Sequence, residues 1–333
     1  MKQWMKTLVQ RLEDGEDLIL VTVTASSGAT PRGAGARMLV GREGRICGTI
    51  GGGPVEYRSE ETARQLLAEK RSCETVFSLT ANDLQKLGMI CGGDAQVHFQ
   101  FLPADDRECL AAAREAANAL SQGRELWLVS DLTQNGGLQV FDRNTAPDWL
   151  APYLKNRPCR FTWEGRSFFA ERIGSAGKVY IFGGGHVAQA LVPALAAVEF
   201  SCIVLEDRPE FADPALFPQA EQVLQVEWEH ILDYVNLTEE DYCCVMTRGH
   251  AYDTVVQAQV MKARPCYMGM IGSRTKGAAV RKALEEEYGF SSEEISRLVS
   301  PIGLAIGAQT PEEIAVSITA QMIQVRAENR KAE

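Results

Sequence analysis

The chain has 333 residues, of which 45% are hydrophobic and 23% charged, a composition typical of a soluble globular protein with about two domains. The net charge of −10 disfavours nucleic-acid binding, which needs a basic face, and no apolar run approaches the ~20 residues of a membrane span. The first 16 residues predict a charged amphipathic helix without a signal-peptide cleavage site, so a cytoplasmic protein is expected.

The nine cysteines do not form the pattern of a disulfide scaffold or a zinc site. C-x-x-C is absent from the sequence, and the four histidines lack zinc-ligand spacing. We therefore expect no structural metal. Cys202, Cys243 and Cys244 lie in apolar runs that predict strands, where a cysteine behaves as a small buried hydrophobe.

Two glycine-rich segments follow predicted strands in the N-terminal part. The first, residues 25–37, follows the strand Leu18–Thr24 and contains Arg32. It is either a plain connection or an anion cradle, since glycine-rich backbone with arginine suits phosphate. The second, Gly51, Gly52 and Gly53, comes after a predicted hairpin and before a helix that starts at Pro54. It is a further candidate phosphate site.

Cys91 differs from the other cysteines because two glycines follow it, between predicted strands at 72–79 and 95–102. Such a turn exposes the sulfur and brings it near backbone N–H groups, which lower a thiol pKa. A cysteine simply packed in a tight turn is the alternative. A helix over 106–121 and four strands between 125 and 172 follow, and we expect these strands to complete the sheet of the first domain.

The polar segment 174–177 is the best domain boundary, which gives domains of residues 1–174 and 175–333. Beyond it, an apolar strand at 179–182 leads through a glycine turn into a helix. Gly183, Gly185 and Ala188 match the G-x-G-x-x-G/A fingerprint of dinucleotide-binding folds, in the strand–turn–helix context that such a match needs. A βαβ turn without a ligand is the alternative.

The next strand ends in acidic residues about 20 positions later, where a ribose-binding carboxylate belongs. Further polar groups follow the strands at 241–246 and 267–271, at the strand ends where doubly wound sheets bind ligands. His250 is either an acid/base residue with Asp253 or a helix-cap histidine. The cofactor-binding candidates of this domain are Gly183, Gly184, Gly185, His186, Val187, Glu206, Asp207, Arg208, Thr247, Arg248, Gly249, Gly272, Ser273, Arg274 and Lys276.

The predicted fold is α/β: an N-terminal mixed α+β domain followed by a Rossmann-like parallel-sheet domain. The motifs as a set resemble the XdhC/CoxI family of xanthine dehydrogenase accessory proteins. They cover nearly the whole chain: residues 30–35 (TPRGAG), 48–53 (GTIGGG), 91–93 (CGG), 182–188 (FGGGHVA), 207–210 (DRPE), 247–250 (TRGH), 272–274 (GSR) and 301–304 (PIGL). One departure is Ala305, where the family usually carries an acidic residue.

The resemblance implies a protein that binds molybdenum cofactor, supports its sulfuration by a cysteine desulfurase and passes it to a xanthine dehydrogenase-type molybdenum hydroxylase. It also implies a homodimer. Cys91 matches the motif cysteine and is the candidate cofactor ligand, and Arg32 with the glycine loops becomes a candidate for the pterin phosphate. If the missing carboxylate at Ala305 matters, this chain is specialised or weakened.

Two other functions compete with the accessory role: an NAD(P)-dependent oxidoreductase of a small substrate, and a nucleotide-sensing regulatory module. A dehydrogenase needs an acid/base group beside the nicotinamide, and only His250 with Asp253 offers one. The sequence lacks the cysteine patterns of iron–sulfur clusters, so we do not expect it to oxidise purines or aldehydes itself. Either NAD or NADP is expected in the second domain. Glu206 and Asp207 favour NAD, whereas Arg208 suits a 2′-phosphate.

Overall fold

The computed structural model describes residues 2–28, 30, 32–79, 93–133, 136–174 and 177–329, without the side chains of residues 2, 3, 78, 79, 250 and 251. The chain divides into two compact units after Gly174.

The first unit begins with helix α1 (Lys2–Glu13) and strands β1 (Leu18–Gly28), β2 (Arg37–Gly41) and β3 (Gly44–Thr49). Helix α2 (Gly53–Glu69), strands β4 (Cys73–Leu79) and β5 (Gly93–Leu102) and helix α3 (Arg107–Gln122) follow. The five strands form one antiparallel sheet in the order β3-β2-β1-β5-β4.

Side-chain alternation along β1 separates the two faces of this sheet. Ile19, Val21 and Val23 pack with the buried residues of α2, whereas Leu18 and Leu20 pack with those of α1 and α3. The long central strand is therefore apolar on both faces over its first half. Its last residues are exposed, and this half of the strand leads into the loop 29–36.

The remaining strands of the first unit are β6 (Leu126–Asp131), β7 (Leu138–Phe141), β8 (Cys159–Trp163) and β9 (Arg166–Ile173). They pair in a separate antiparallel sheet, in the order β7-β6-β9-β8. The expectation that they would complete the first sheet is wrong. The local sequence indicates that a segment forms a strand, but its partner strand depends on which faces are buried together. Leu126 and Leu128 of β6 lie in the same core as α1 and α3, although β6 is not part of the five-stranded sheet.

The second unit alternates strands and helices. Its strands are β10 (Val179–Phe182), β11 (Cys202–Glu206), β12 (Gln222–Gln225), β13 (Tyr242–Val245), β14 (Tyr267–Met270) and β15 (Leu298–Val299). The helices are α4 (His186–Ala197), α5 (Ile231–Tyr234), α6 (His250–Ala263), α7 (Arg274–Glu286), α8 (Ser292–Ser296) and α9 (Pro311–Asn329). All strand pairs are parallel.

The strand order β12-β11-β10-β13-β14-β15 is the 3-2-1-4-5-6 order of dinucleotide-binding folds. Each face of this sheet has its own buried core, one with α4 and α9 and the other with α6 and α7. Cys202, Cys243 and Cys244 are buried as predicted. The sequence did not predict β12, because Gln222 and Gln225 break its apolar pattern. The predicted fold class is confirmed.

Candidate functional site

The glycine turn between β10 and α4 lies at the switch point of the sheet, where β11 and β13 diverge from β10. Gly183 has a φ of +124°, and a Cβ there would collide with the carbonyl oxygen of Met246. A Cβ on Gly184 would lie 2.6 Å from the carbonyl oxygen of Phe211. Gly185 is different, because a Cβ there would meet nothing within 4 Å. Packing thus requires the first two glycines, and the third borders open space.

The carboxylate of Glu206 holds this turn from the end of β11. It accepts a hydrogen bond from the Gly184 N–H at 2.6 Å, and its side chain is almost fully buried. Arg208 donates to both of its oxygens, from Nε at 2.8 Å and Nη2 at 3.0 Å. Burial opposes ionisation, but these hydrogen bonds outweigh it and lower the pKa of Glu206 to about 2.

Asp207 and Arg208 have different surroundings beside Glu206. Burial and the neighbouring Glu206 raise the pKa of Asp207, whose side chain is part-exposed. The guanidinium of Arg208 lies over the ring of Phe211, 4.0 Å from its centroid. Arg208 is therefore engaged by both Glu206 and Phe211, a cation–π contact in addition to two charge-assisted hydrogen bonds.

The polar residues after β13 and β14 are joined by one buried carboxylate. Asp253, fully buried in α6, accepts hydrogen bonds from the Thr247 N–H at 3.0 Å and hydroxyl at 2.6 Å. Its other oxygen pairs with the ammonium of Lys276 in α7. Gly272 makes this pair possible, since a Cβ there would lie 2.6 Å from Cδ of Lys276. Two motifs far apart in sequence therefore meet through Asp253 and Lys276.

Other predicted residues of this edge are exposed and border the same turns. His186, Arg248, Ser273 and Arg274 are exposed, and Val187 is half-buried. Gly249, like Gly185, precedes a helix and would place a Cβ in open space. The His250 side chain lies outside the described residues.

The strand ends that flank the N-terminal motifs lie at one end of the five-stranded sheet. Gly28, at the end of β1, is paired with Gly93, at the start of β5, and Gly93 is also paired with Leu79. Arg37, where β2 begins, is paired with Thr49, where β3 ends. This register places the end of β1 and the start of β5 at the same end of the sheet as the start of β2 and the end of β3, and Gly28 lies six residues beyond the Thr22–Arg37 pair along β1. Cys91 itself lies outside the described residues.

The Gly51–Gly53 turn is held from within by Glu56. Oε2 of Glu56 accepts from the N–H groups of Ile50 at 3.0 Å and Gly52 at 3.1 Å, and also from the Thr49 hydroxyl. The Gly51 N–H donates to the Thr49 hydroxyl at 3.1 Å. A carboxylate already occupies part of the proposed phosphate cradle, and an anion there would meet its negative charge. Arg32 is exposed.

Sequence reasoning missed three residues that hold these motifs: Glu56 as a clamp, Glu171 and Gln189. Arg37 is buried and forms an ion pair with Glu171 of β9, and burial lowers the pKa of Arg37 to about 10. The Gln189 amide donates to the Gly184 carbonyl at 3.1 Å. Only Glu56 gave a local signal, since an acidic residue in the first turn of a helix interacts favourably with nearby backbone N–H groups.

Neither a metal-binding cluster nor a membrane-spanning helix occurs in the part of the chain that the structure describes. The described residues contain no group of three or more histidine, cysteine, aspartate or glutamate side chains arranged to hold a metal ion. Among them, no helix has the length and apolar character needed to cross a bilayer.

Comparisons with known proteins give consistent results. Residues 179–322 match the model of the XdhC Rossmann domain, and residues 11–78 match that of the XdhC and CoxI family. The chain is 27% identical over 332 residues to a Bacillus subtilis protein named as a probable xanthine dehydrogenase subunit, covering 95% of both chains. It is 25% identical over 326 residues to the molybdenum cofactor insertion chaperone PaoD of Escherichia coli, covering 97% of this chain and 87% of that one.

A solved structure supports the fold. A Bacillus halodurans protein described as a xanthine dehydrogenase superposes with a TM-score of 0.77 at 22% identity, covering 97% of this chain and 96% of that one. The two family models match both units of the chain, at the segments where the glycine-rich motifs lie. The chain therefore belongs to the XdhC and CoxI family.

Proposed function

We propose that this protein is an accessory protein of molybdenum hydroxylases, which binds molybdenum cofactor, assists its sulfuration and delivers it to the recipient enzyme. The observation that carries the proposal is the position of the strand ends that flank the three N-terminal motifs, which lie at the same end of the five-stranded sheet and include the pairs Gly28–Gly93 and Arg37–Thr49. The similarity to a cofactor insertion chaperone, which covers nearly the whole chain, supports it. The cofactor is cargo here, and the recipient enzyme performs the redox reaction.

Cys91 is the proposed cofactor ligand, with a cysteine desulfurase as the sulfur donor. A thiol binds a metal as the thiolate, so a useful ligand needs a pKa that is not raised. Burial raises the pKa of Cys109 and of Cys202 to about 12, and that of Cys243 and Cys244 well above the usual value. These four thiols stay protonated at neutral pH.

Reconstitution tests this proposal. The purified protein, molybdenum cofactor and a sulfur donor are mixed with an inactive apo-hydroxylase, and hydroxylase activity is expected only when all are present. Cys91→Ser should fold normally and lose both bound cofactor and delivery. Cys47→Ser is the matched control, since Cys47 is half-buried in β3 and burial raises the pKa of its thiol. Retention of cofactor by Cys91→Ser would reject the ligand role.

We also propose that the second domain binds NAD. The support is the open space at Gly185, which would allow the pyrophosphate of a dinucleotide to approach the backbone at the N-terminus of α4. At the ribose end, Glu206 and Asp207 supply negative charge, and Arg208 is already held by Glu206 and Phe211. A 2′-phosphate would therefore meet two carboxylates without a free guanidinium, which favours NAD over NADP.

Titration of NAD and NADP tests this part. Gly185→Val has room in the free protein, so the variant should fold and lose NAD binding. Gly137→Val is the control, because Gly137 lies in the other domain and its Cβ would also meet nothing within 4 Å. Equal NAD binding by wild type and Gly185→Val would reject the site. Tighter binding of NADP than of NAD would reject the preference.

The dehydrogenase alternative depends on Asp253 as an acid/base group with His250. The Asp253 carboxylate is fully buried, with one oxygen on Thr247 and the other on Lys276, an arrangement that suits a positioning role. If the protein alone reduces NAD with a purine or an aldehyde, the accessory proposal is wrong. The proposed homodimer is tested separately by sedimentation equilibrium, where a monomer at micromolar concentration would reject it.

A further inference from the structure

A cavity of about 460 Å³ lies beside Asp207, one of the two acidic residues proposed to bind the ribose, at the carboxyl ends of the parallel strands. We call it the acidic pocket, and its walls include Asp207, Glu227, Trp228, Glu229, Tyr234 and Tyr252. Asp207 follows β11, Glu227 lies shortly after β12, and Tyr252 lies in the first turn of α6. The volume falls within the range of small-molecule sites.

The acidic pocket offers hydrogen-bond acceptors to a ligand. Three carboxylates line it, and an ionised carboxylate only accepts hydrogen bonds. Among the donors on its walls, the Gln225 amide already donates to the Asp207 carbonyl at 3.4 Å. The two tyrosine hydroxyls can accept as well as donate. A ligand that bears hydrogen-bond donors is therefore favoured here.

The same pocket presents aromatic surface. Tyr234 and Tyr252 keep 43% and 38% of their surface exposed, which is high for large hydrophobic side chains. Aromatic rings at the rim of a cavity stack readily on nucleobases, because every base has a π-face. Stacking surface together with acceptors matches a planar group that carries an N–H₂ donor.

We infer that the acidic pocket binds the nucleobase of the dinucleotide and selects bases with an exocyclic amino group, such as adenine or cytosine, over the keto bases hypoxanthine and uracil. The inference rests on the dinucleotide proposed above for the Gly183–Gly185 turn. It adds the base specificity of that site and names the groups responsible. An amino group donates to a carboxylate, whereas a keto oxygen in its place sets an acceptor against an acceptor and leaves both unpaired.

The test compares NAD with nicotinamide hypoxanthine dinucleotide, which differs in having a keto oxygen in place of the adenine amino group. By calorimetry, wild type should bind NAD about tenfold or more tightly, the discrimination expected of one lost polar contact. The pair Glu227→Gln and Glu229→Gln, made together, should reduce this ratio, because an amide can donate to the keto oxygen. Glu210→Gln, an exposed acid outside the pocket walls, should leave the ratio unchanged.

Mononucleotides separate the two base classes. AMP above IMP supports the inference and identifies adenine as the base, and CMP above UMP in addition shows that the selection extends to cytosine. AMP equal to IMP would contradict the inference, whichever pyrimidine nucleotide binds more tightly. Equal affinity of wild type for NAD and its hypoxanthine analogue would overturn it while the dinucleotide site stands. An unchanged ratio in the double variant would also overturn it. Binding of none of these nucleotides would reject the dinucleotide site and the inference together.

Discussion

Removal of the Asp253 carboxylate should destabilise the second domain more than any single surface change. Asp253 is fully buried, and Asp253→Ala deletes its hydrogen bonds from the Thr247 N–H and hydroxyl and its ion pair with Lys276. A hydrogen bond to a charged group contributes about 1.5–3 kcal/mol. The Lys276 side chain keeps 24% of its surface in solvent, so its ammonium can be hydrated when Asp253 is removed. Loss of the ion pair therefore adds no more than about 1 kcal/mol. The two hydrogen bonds and the ion pair together give an expected loss of about 3–7 kcal/mol.

Removal of the Lys276 ammonium tests the ion pair with Asp253 from the other side. Lys276→Met leaves a buried carboxylate without a counter-charge and should cost about 3–5 kcal/mol, the range measured for broken buried pairs. The double variant Asp253→Ala, Lys276→Met should cost less than the sum of the two, because the second change removes a group that the first has already left unpaired.

Urea unfolding followed by hydrogen exchange of peptides covering β13 and α6 measures these free energies. Asp233→Ala, an exposed acid of α5, is the control and should stay within about 0.5 kcal/mol of wild type. If Asp253→Ala lowers the free energy of unfolding by less than about 1 kcal/mol, the hydrogen bonds of Asp253 do not stabilise the domain to the expected extent, since even one hydrogen bond to a charged group contributes more. Additive single changes would show that Asp253 and Lys276 act independently.

Three further predictions concern other parts of the chain. Burial lowers the pKa of His98 to about 4, so the unfolded chain binds a proton at this histidine before the folded chain does as pH falls. The free energy of unfolding should therefore fall by about 3 kcal/mol between pH 6.5 and pH 4. His98→Phe should remove most of this pH dependence, measured by urea unfolding at each pH. Gly184→Ala should lower stability by about 1–3 kcal/mol because its Cβ would crowd the Phe211 carbonyl, whereas Gly185→Ala should unfold at the wild-type temperature. Ala305 is exposed, so Ala305→Asp should change the free energy of unfolding by less than about 0.5 kcal/mol. A gain in cofactor delivery by this variant, measured by reconstitution, would assign a role to the acidic residue that the family usually carries at this position.

The sequence by itself determined features that neighbouring residues encode. The strand at 179–182, its glycine turn and the following helix were all predicted, because burial pattern and glycine spacing are local. The start of α9 is another example. Thr310 accepts from the Glu313 N–H at 3.2 Å and Glu313 accepts from the Thr310 N–H at 3.1 Å. These bonds form a capping box, for which the Thr-x-x-Glu pattern of residues 310–313 is the local signal.

Tertiary structure alone decided which distant groups meet. Arg37 ends the segment 25–37, which the sequence left open as either a plain connection or an anion cradle, and the fold buries it against Glu171, a residue of β9 far along the chain. Asp253 and Lys276 looked like separate candidates for catalysis and phosphate binding, and the packing of α6 against α7 makes them one ion pair. Periodicity and spacing report what lies within a turn or two of the chain. Contacts between elements depend on which faces are buried together, so these partners become visible only when the sheets and helices have assembled.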